Sequence, residues 1–189
     1  MRQQELNKSN IVAFLADIFQ RRGAESYLGE DVTMAEHMLQ GAMLAEKENA
    51  PDELVVAALL HDIGHYTSEF GVYSPEDTED NYHDAAGGRV LRPYFPQVVT
   101  QCVALHVRAK RYLCAVDPDY MGKLSEASVH SLSLQGGPMQ PEEVSEFEQQ
   151  PFYKEALKVR IWDDEGKVAG VKTKNFNDYE AVIQRVVES

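Results

Sequence analysis

The run Leu54-Val55-Val56-Ala57-Ala58-Leu59-Leu60 has no polar residue on any face and leads directly into His61-Asp62-Ile63-Gly64-His65. Pro51, with Asp52 and Glu53 behind it, is a strong helix start: proline gives up no hydrogen bond in the first turn, and acids there complement the helix dipole. A helix that is apolar all round belongs in the middle of a domain. Other helices must therefore wrap around this one, and the polar residues at its end are delivered into the interior. Gly64 permits a turn there.

The rest of the chain supplies those helices. Ser9 or Asn10 caps a first one, with Ile11, Phe14, Leu15, Ile18 and Phe19 on one face. A second covers Val32–Lys47 and places His37 on its apolar stripe beside Met34, Met38 and Leu44. Tyr66–Asn81 reads as an acidic loop, Asp84–Tyr94 as a short helix after His83, and Pro96 opens a long helix through Ala115. Helices over Ser125–Leu134, Pro141–Gln149, Phe152–Trp162 and Asn177–Glu188 follow. Asp163-Asp164-Glu165-Gly166 reads as a turn, and Val168–Thr173 as a short strand or an arm. A length of 189 residues without repeat or linker makes residues 1–189 one all-α helical bundle, a single domain.

A net charge of −13 argues against nucleic acid or an anionic membrane as a partner. No apolar run reaches the roughly 18–20 residues of a membrane span, and Met1–Asn10 lacks the pattern of a secretory signal, so the expected compartment is the cytoplasm. Cys102 and Cys114, twelve positions apart on one expected helix, would be roughly 18 Å apart, too far for a disulfide. Both read as buried thiols.

The chain has six histidines, and five fall into one order with two aspartates: His37, His61-Asp62, His65, His83, His106, Asp163. Aspartate has two oxygens and can bridge two cations, whereas a neutral imidazole gives one nitrogen to one cation. Asp62 can thus join a site of His37, His61 and Asp163 to a site of His83 and His106. Asp164 is an alternative to Asp163. Such a set, without thiolate, suits iron, manganese or zinc. His65 could be a further ligand; with the second site already supplied by two histidines, it reads better as a substrate-facing group. Lys110 lies four residues after His106 and so shares its helix face, pointing toward whatever a metal on His106 binds. His130 has no place in the pattern and reads as structural.

The HDIGH string and the order of ligands are those of HD domains. The whole chain resembles one branch of them, the mixed-valent diiron oxygenases of organophosphonate catabolism (PhnZ/TmpB-like), which break carbon–phosphorus bonds. The resemblance rests on Tyr27-Leu28-Gly29-Glu30, on Leu59 through Tyr66, on Lys110-Arg111-Tyr112-Leu113, on Leu124 through Ser128, on Leu134-Gln135-Gly136-Gly137-Pro138-Met139 and on Arg160-Ile161-Trp162-Asp163. It implies two iron ions in the Fe(II)/Fe(III) state on His37, His61, Asp62, His83, His106 and Asp163, with dioxygen as cosubstrate. It also implies a phosphonate pocket of Lys110 and Ser128 with Ser131, Gln135 and His65 nearby, and a gate in which Tyr27, held by Glu30, occupies an open iron position until substrate arrives. An upstream hydroxylase is expected to supply the substrate's C1 hydroxyl.

Two substrates fit that family: 1-hydroxy-2-(trimethylammonio)ethylphosphonate, giving glycine betaine and phosphate, and 2-amino-1-hydroxyethylphosphonate, giving glycine and phosphate. A trimethylammonium group cannot donate a hydrogen bond and is recognised by aromatic faces and carboxylates. Phe70, Tyr73 and Tyr82 interleaved with Glu76, Asp77, Glu79 and Asp80 favour it. The rival class is a metal-dependent HD phosphohydrolase, in which the metal pair activates water and no oxygen is consumed. An inositol-oxygenase-like enzyme and a non-catalytic binding module are weaker alternatives.

Overall fold

Ten helices account for the architecture of the computed structural model, which describes residues 5–67 and 77–189. In chain order they are α1 (Ile11–Arg22), α2 (Met34–Lys47), α3 (Asp52–Leu60), α4 (Gly64–Thr67), α5 (His83–Leu91), α6 (Gln97–Val116), α7 (Glu126–Leu134), α8 (Pro141–Glu148), α9 (Tyr153–Glu165) and α10 (Glu180–Glu188). No strand occurs among the described residues, and the all-α reading holds.

The apolar run does what its composition demands. All seven residues from Leu54 to Leu60 are buried, and α3 packs against α2, α6, α9 and α10. Around it lies one continuous apolar core that reaches from Ile11 on α1 to Val187 on α10. α2 is started by a reciprocal cap: Thr33 Oγ1 accepts from the Glu36 N–H at 3.2 Å, and the Thr33 N–H donates to Glu36 Oε2 at 2.7 Å. That cap fixes the register by which His37, one residue later, turns inward.

Several boundaries differ from the expectations. α9 runs through Asp163 and Asp164 to Glu165, so these aspartates lie on a helix and not in a turn. Residues 168–173 form an arm without strand pairing, tied to α2 by the Gln40 side chain, which bonds both the N–H and the carbonyl of Val168. Tyr66 and Thr67 belong to α4. Cys114 is half-buried, while Cys102 is buried as expected, and both are free thiols. Among the described residues no helix is long and apolar enough to cross a membrane.

Two glycines set how closely α5 approaches its neighbours. A Cβ on Gly64 would lie 1.7 Å from the His83 carbonyl oxygen, so the first turn of α4 rests directly on the backbone of α5. A Cβ on Gly88 would lie 2.8 Å from Ala104 Cβ, so α5 rests likewise on α6. Gly64 serves here by its lack of a side chain, not by a left-handed turn.

Candidate metal centre

Five segments meet in the interior: His37 from α2, His61 and Asp62 from the turn after α3, His83 from the first residue of α5, His106 from α6 and Asp163 from α9. All six residues are buried. Asp62 stands between two histidine pairs. Its Oδ2 lies 3.4 Å from His37 Nε2 and 3.5 Å from His61 Nε2, and its Oδ1 lies 3.4 Å from His106 Nε2 and 3.5 Å from His83 Nε2. Asp163 Oδ1 joins the first pair, 3.4 Å from His37 Nε2 and 3.8 Å from His61 Nε2.

The far side of each ring fixes its tautomer. His37 Nδ1 lies 3.0 Å from the Gly166 carbonyl, His61 Nδ1 2.8 Å from that of Ala58, His106 Nδ1 2.7 Å from that of Val103, and His83 Nδ1 2.9 Å from Asn81 Oδ1. These oxygens only accept, so every Nδ1 carries a proton and every neutral ring turns a bare Nε2 inward. His37 and His61 then face each other Nε2 to Nε2 at 3.0 Å, and His83 and His106 at 3.2 Å. Two lone pairs at that distance repel unless a proton or a cation lies between them. Two nitrogens on one ion at about 2.1 Å are about 3.0 Å apart in octahedral and about 3.4 Å in tetrahedral geometry, which brackets both pairs. The buried Asp62 Oδ2 and Asp163 Oδ1 have no hydrogen-bond partner among the described residues. The donor set fits two divalent or trivalent cations sharing one carboxylate.

Electrostatics agree. Burial works against a charge on His61, yet the carboxylates of Asp62 and Asp163 outweigh it and push its pKa up to about 9. Burial raises the pKa of Asp62, but His61, His65 and the other imidazoles hold it well below the usual carboxylate range. Where no cation sits, a proton thus rests on the His37–His61 side of the cluster, and metal uptake there must release it.

Asp163 and Asp164 are separated by their partners. Arg160 donates to Asp163 Oδ2 at 2.6 Å and leaves Oδ1 aimed at the histidines. Both oxygens of Asp164 are taken by Arg160, with Tyr120 also bonded to Oδ2. Asp163 is therefore the carboxylate with an oxygen to give.

A cavity opens over the cluster, walled by Tyr27, Leu28, His65, Lys110, Ser128, Ser131, Gln135 and Arg160. Lys110 is almost fully buried and donates to Ser131 Oγ at 2.7 Å; that hydroxyl passes its own proton to the Ser128 carbonyl. Burial, then the charge of Arg160, pull the Lys110 pKa down to about 7. Tyr27 is stacked on His37 with ring centroids 3.9 Å apart. It is carried by a turn in which Leu28 and Gly29 are left-handed and the Glu30 N–H returns to the Tyr27 carbonyl. No side-chain hydrogen bond joins Glu30 to the Tyr27 hydroxyl among the described residues; Glu30 Oε1 is buried without a hydrogen-bond partner. Phe70, Tyr73 and Glu76 lie outside the described residues, and Tyr82 is more than half exposed.

Three residues at the site escaped the sequence reading. Lys167 donates to Ser128 Oγ at 3.0 Å, lies 3.4 Å from Asp163 Oδ1 and sits over the Tyr27 ring. Its signal was the four-residue step from Asp163, hidden by ending the helix at Trp162. Arg160 had its signal in the three-residue step to Asp163. Asn81 had none, because its role depends on two histidines brought together only by the fold.

Residues 34–164 match the HD domain family. Over 184 residues the chain is 57% identical to the [1-hydroxy-2-(trimethylamino)ethyl]phosphonate dioxygenase (glycine-betaine-forming) of Leisingera caerulea, covering 97% of this chain and 94% of that protein. It is 43% identical over 178 residues to the hydroxymethylphosphonate dioxygenase of Gimesia maris, covering 94% of this chain and 88% of that one. An uncharacterized protein, L432, of Acanthamoeba polyphaga mimivirus is 32% identical over 174 residues. With residues 34–164 matching the HD domain and with relatives matched over nearly its whole length, the chain belongs to the HD-domain family, in the branch of the phosphonate dioxygenases.

Proposed function

We propose that the chain is a non-haem diiron dioxygenase that cleaves the C–P bond of 1-hydroxy-2-(trimethylammonio)ethylphosphonate to give glycine betaine and phosphate. The observation that carries this reading is the division of Asp62 between two inward-facing imidazole pairs, under a cavity walled by the buried cations Lys110 and Arg160. The choice of amine follows the more similar of the two named relatives. His37, His61 and Asp163 would hold one iron and His83 and His106 the other, with Asp62 shared; as a mixed-valent Fe(II)/Fe(III) pair they supply the one-electron chemistry that dioxygen needs and the Lewis acidity that binds substrate oxygens.

The protein's own groups do the rest. The substrate loses its C1–H and C1–P bonds, dioxygen takes up four electrons, and the products are a carboxylate, phosphate and one proton, so no further reductant enters. Lys110 receives the phosphonate as a point charge, with Ser131 fixing its ammonium. The Ser128 hydroxyl accepts from Lys167 and keeps its own proton to donate toward the anion. Gln135 presents a buried, unpartnered Oε1 to the same space. Tyr27 covers the cluster from the α2 side and is the group that substrate displaces. Glu30, at the end of the same turn, supplies a counter-charge to a quaternary ammonium. We further read residues 1–189 as one domain, working in the cytoplasm after a hydroxylase that supplies the C1 hydroxyl.

The test is phosphate release by iron-loaded protein from the trimethylated and the primary-amine 1-hydroxyphosphonates, with and without dioxygen. Release that needs oxygen and is faster with the trimethylated compound is expected. A faster primary amine would reassign the substrate; release without oxygen, or from phosphate esters, would make the chain a phosphohydrolase.

The lysine gives this reading a pH signature. Binding an anion favours charged Lys110, so KM should rise about tenfold per pH unit as pH climbs above about 7, where the free protein loses that charge. Lys110→Met should lower kcat/KM on the order of 10²-fold and abolish this limb of the profile. A limb that persists unchanged in the variant would assign it to another group.

A further inference from the structure

We propose that Asn81 is a positioning residue that sets opposite tautomers on two stacked histidines, making His83 a metal ligand and His65 a hydrogen-bond donor to the substrate. The inference deepens the phosphonate reading and rests on it for the identity of what His65 meets.

His65 and His83 lie face to face, with ring centroids 4.0 Å apart and planes 14° from parallel. Both point Nε2 at the same oxygen, Asp62 Oδ1, at 3.8 and 3.5 Å. By chemistry alone either ring is a ligand for the second metal. Asn81 stands behind both. Its Oδ1 lies 3.3 Å from the His83 backbone N–H, a group that only donates, which fixes the orientation of the amide. The same oxygen accepts from His83 Nδ1 at 2.9 Å and leaves His83 Nε2 bare. The other end of the amide, Nδ2, faces His65 Nδ1 at 3.3 Å. An amide nitrogen only donates, so His65 Nδ1 must accept, and the single proton of the neutral ring resides on Nε2.

His65 thus presents N–H where its neighbour presents a lone pair. That proton has no acceptor among the described residues, and His65 Nε2 is buried and lines the cavity beside Lys110 and Ser128. It is placed to donate to an oxygen of the substrate anion and is disqualified from binding metal. One asparagine thereby keeps a coordination position of the second site open.

The full chain loaded with zinc, a diamagnetic ion, and labelled with nitrogen-15 in histidine tests this by two-bond proton–nitrogen correlation spectra at mildly alkaline pH. His65 should show its proton on Nε2 and a bare Nδ1. In Asn81→Asp a carboxylate, which only accepts, faces His65 Nδ1, and the proton should move there. Both variant and wild-type proteins are compared for metal content and melting temperature, which a merely structural role would change without moving the proton. A proton on His65 Nδ1 in the wild-type chain, or an unchanged tautomer in a folded Asn81→Asp, overturns the proposal. Should the variant fail to fold, the wild-type spectrum decides alone. No substrate is present, so a failure here is separate from a failure of the phosphonate assignment.

Discussion

Asp62→Asn should lower oxygen-dependent phosphate release by three or more orders of magnitude, because a shared ligand to both cations is lost together with its charge. Asparagine has the same shape but offers one acceptor oxygen and a donor nitrogen. That nitrogen would donate toward one of the two imidazole pairs and occupy a lone pair that a cation needs. Bound metal, measured by elemental analysis, should fall from two ions per chain toward none. The metal-free variant should still unfold in one cooperative transition, at a lower melting temperature than the metal-free parent, since the buried charge that pairs with His61 is lost. That contrast separates loss of the site from loss of the fold. A variant that keeps two ions and near-normal turnover would remove Asp62 from the bridging position.

The second large effect is on stability. Arg160→Met should destabilise the chain by about 3–5 kcal/mol in urea unfolding at neutral pH, the usual result of stripping one partner from a buried ionic cluster. Arg160 is almost fully buried and serves Asp163, Asp164 and Tyr120 at once. Burial by itself raises the pKa of Asp163; Arg160 foremost, then Lys167 and His61, bring it well below the usual value. A carboxylate depressed in the folded state contributes stability above its unfolded pKa and loses it as pH falls. The parent should therefore weaken on acidification. The variant, with burial no longer outweighed by Arg160, should recover part of its deficit as the carboxylates take up protons. A deficit below about 1 kcal/mol, or one independent of pH, would mean that methionine packing or water replaces the guanidinium.

The legibility of the site in the sequence follows from what kind of contact holds each part. Helices were readable where a local signal sets them: the apolar run of α3, the Met34, Met38 and Leu44 stripe of α2, Pro141 at the head of α8. The end of α9 was misread because two aspartates and a glutamate resemble a turn by composition, whereas Arg160 one helical turn back neutralises them and lets the helix continue. Of the six expected ligands, His37, His106 and Asp163 sit on inward helix faces, a periodic property, whereas His61 and Asp62 lie in the turn after α3 and His83 opens α5. Lys110 was legible from its spacing to His106. Lys167 was not, since its position depends on where α9 ends. Asn81 has no periodic signature at all; its meaning lies in the stacking of His65 on His83, a contact between a four-residue helix and the first turn of another. Tyr27 entered only through the family resemblance, as a gate held by Glu30, and the tie between the two runs through the backbone turn.

The glycine contacts of α5 bear on how the site tolerates change. Where Gly64 rests on the His83 carbonyl and Gly88 on Ala104, backbone meets backbone or a single methyl, with no flexible side chain between to take up error. The separation of the backbones that carry His83 and His106 is thus set by how closely two helix axes can approach. Variation that respects those bare contacts can rework the cavity wall, and with it the choice of substrate, while the spacing of the ligands stays as it is.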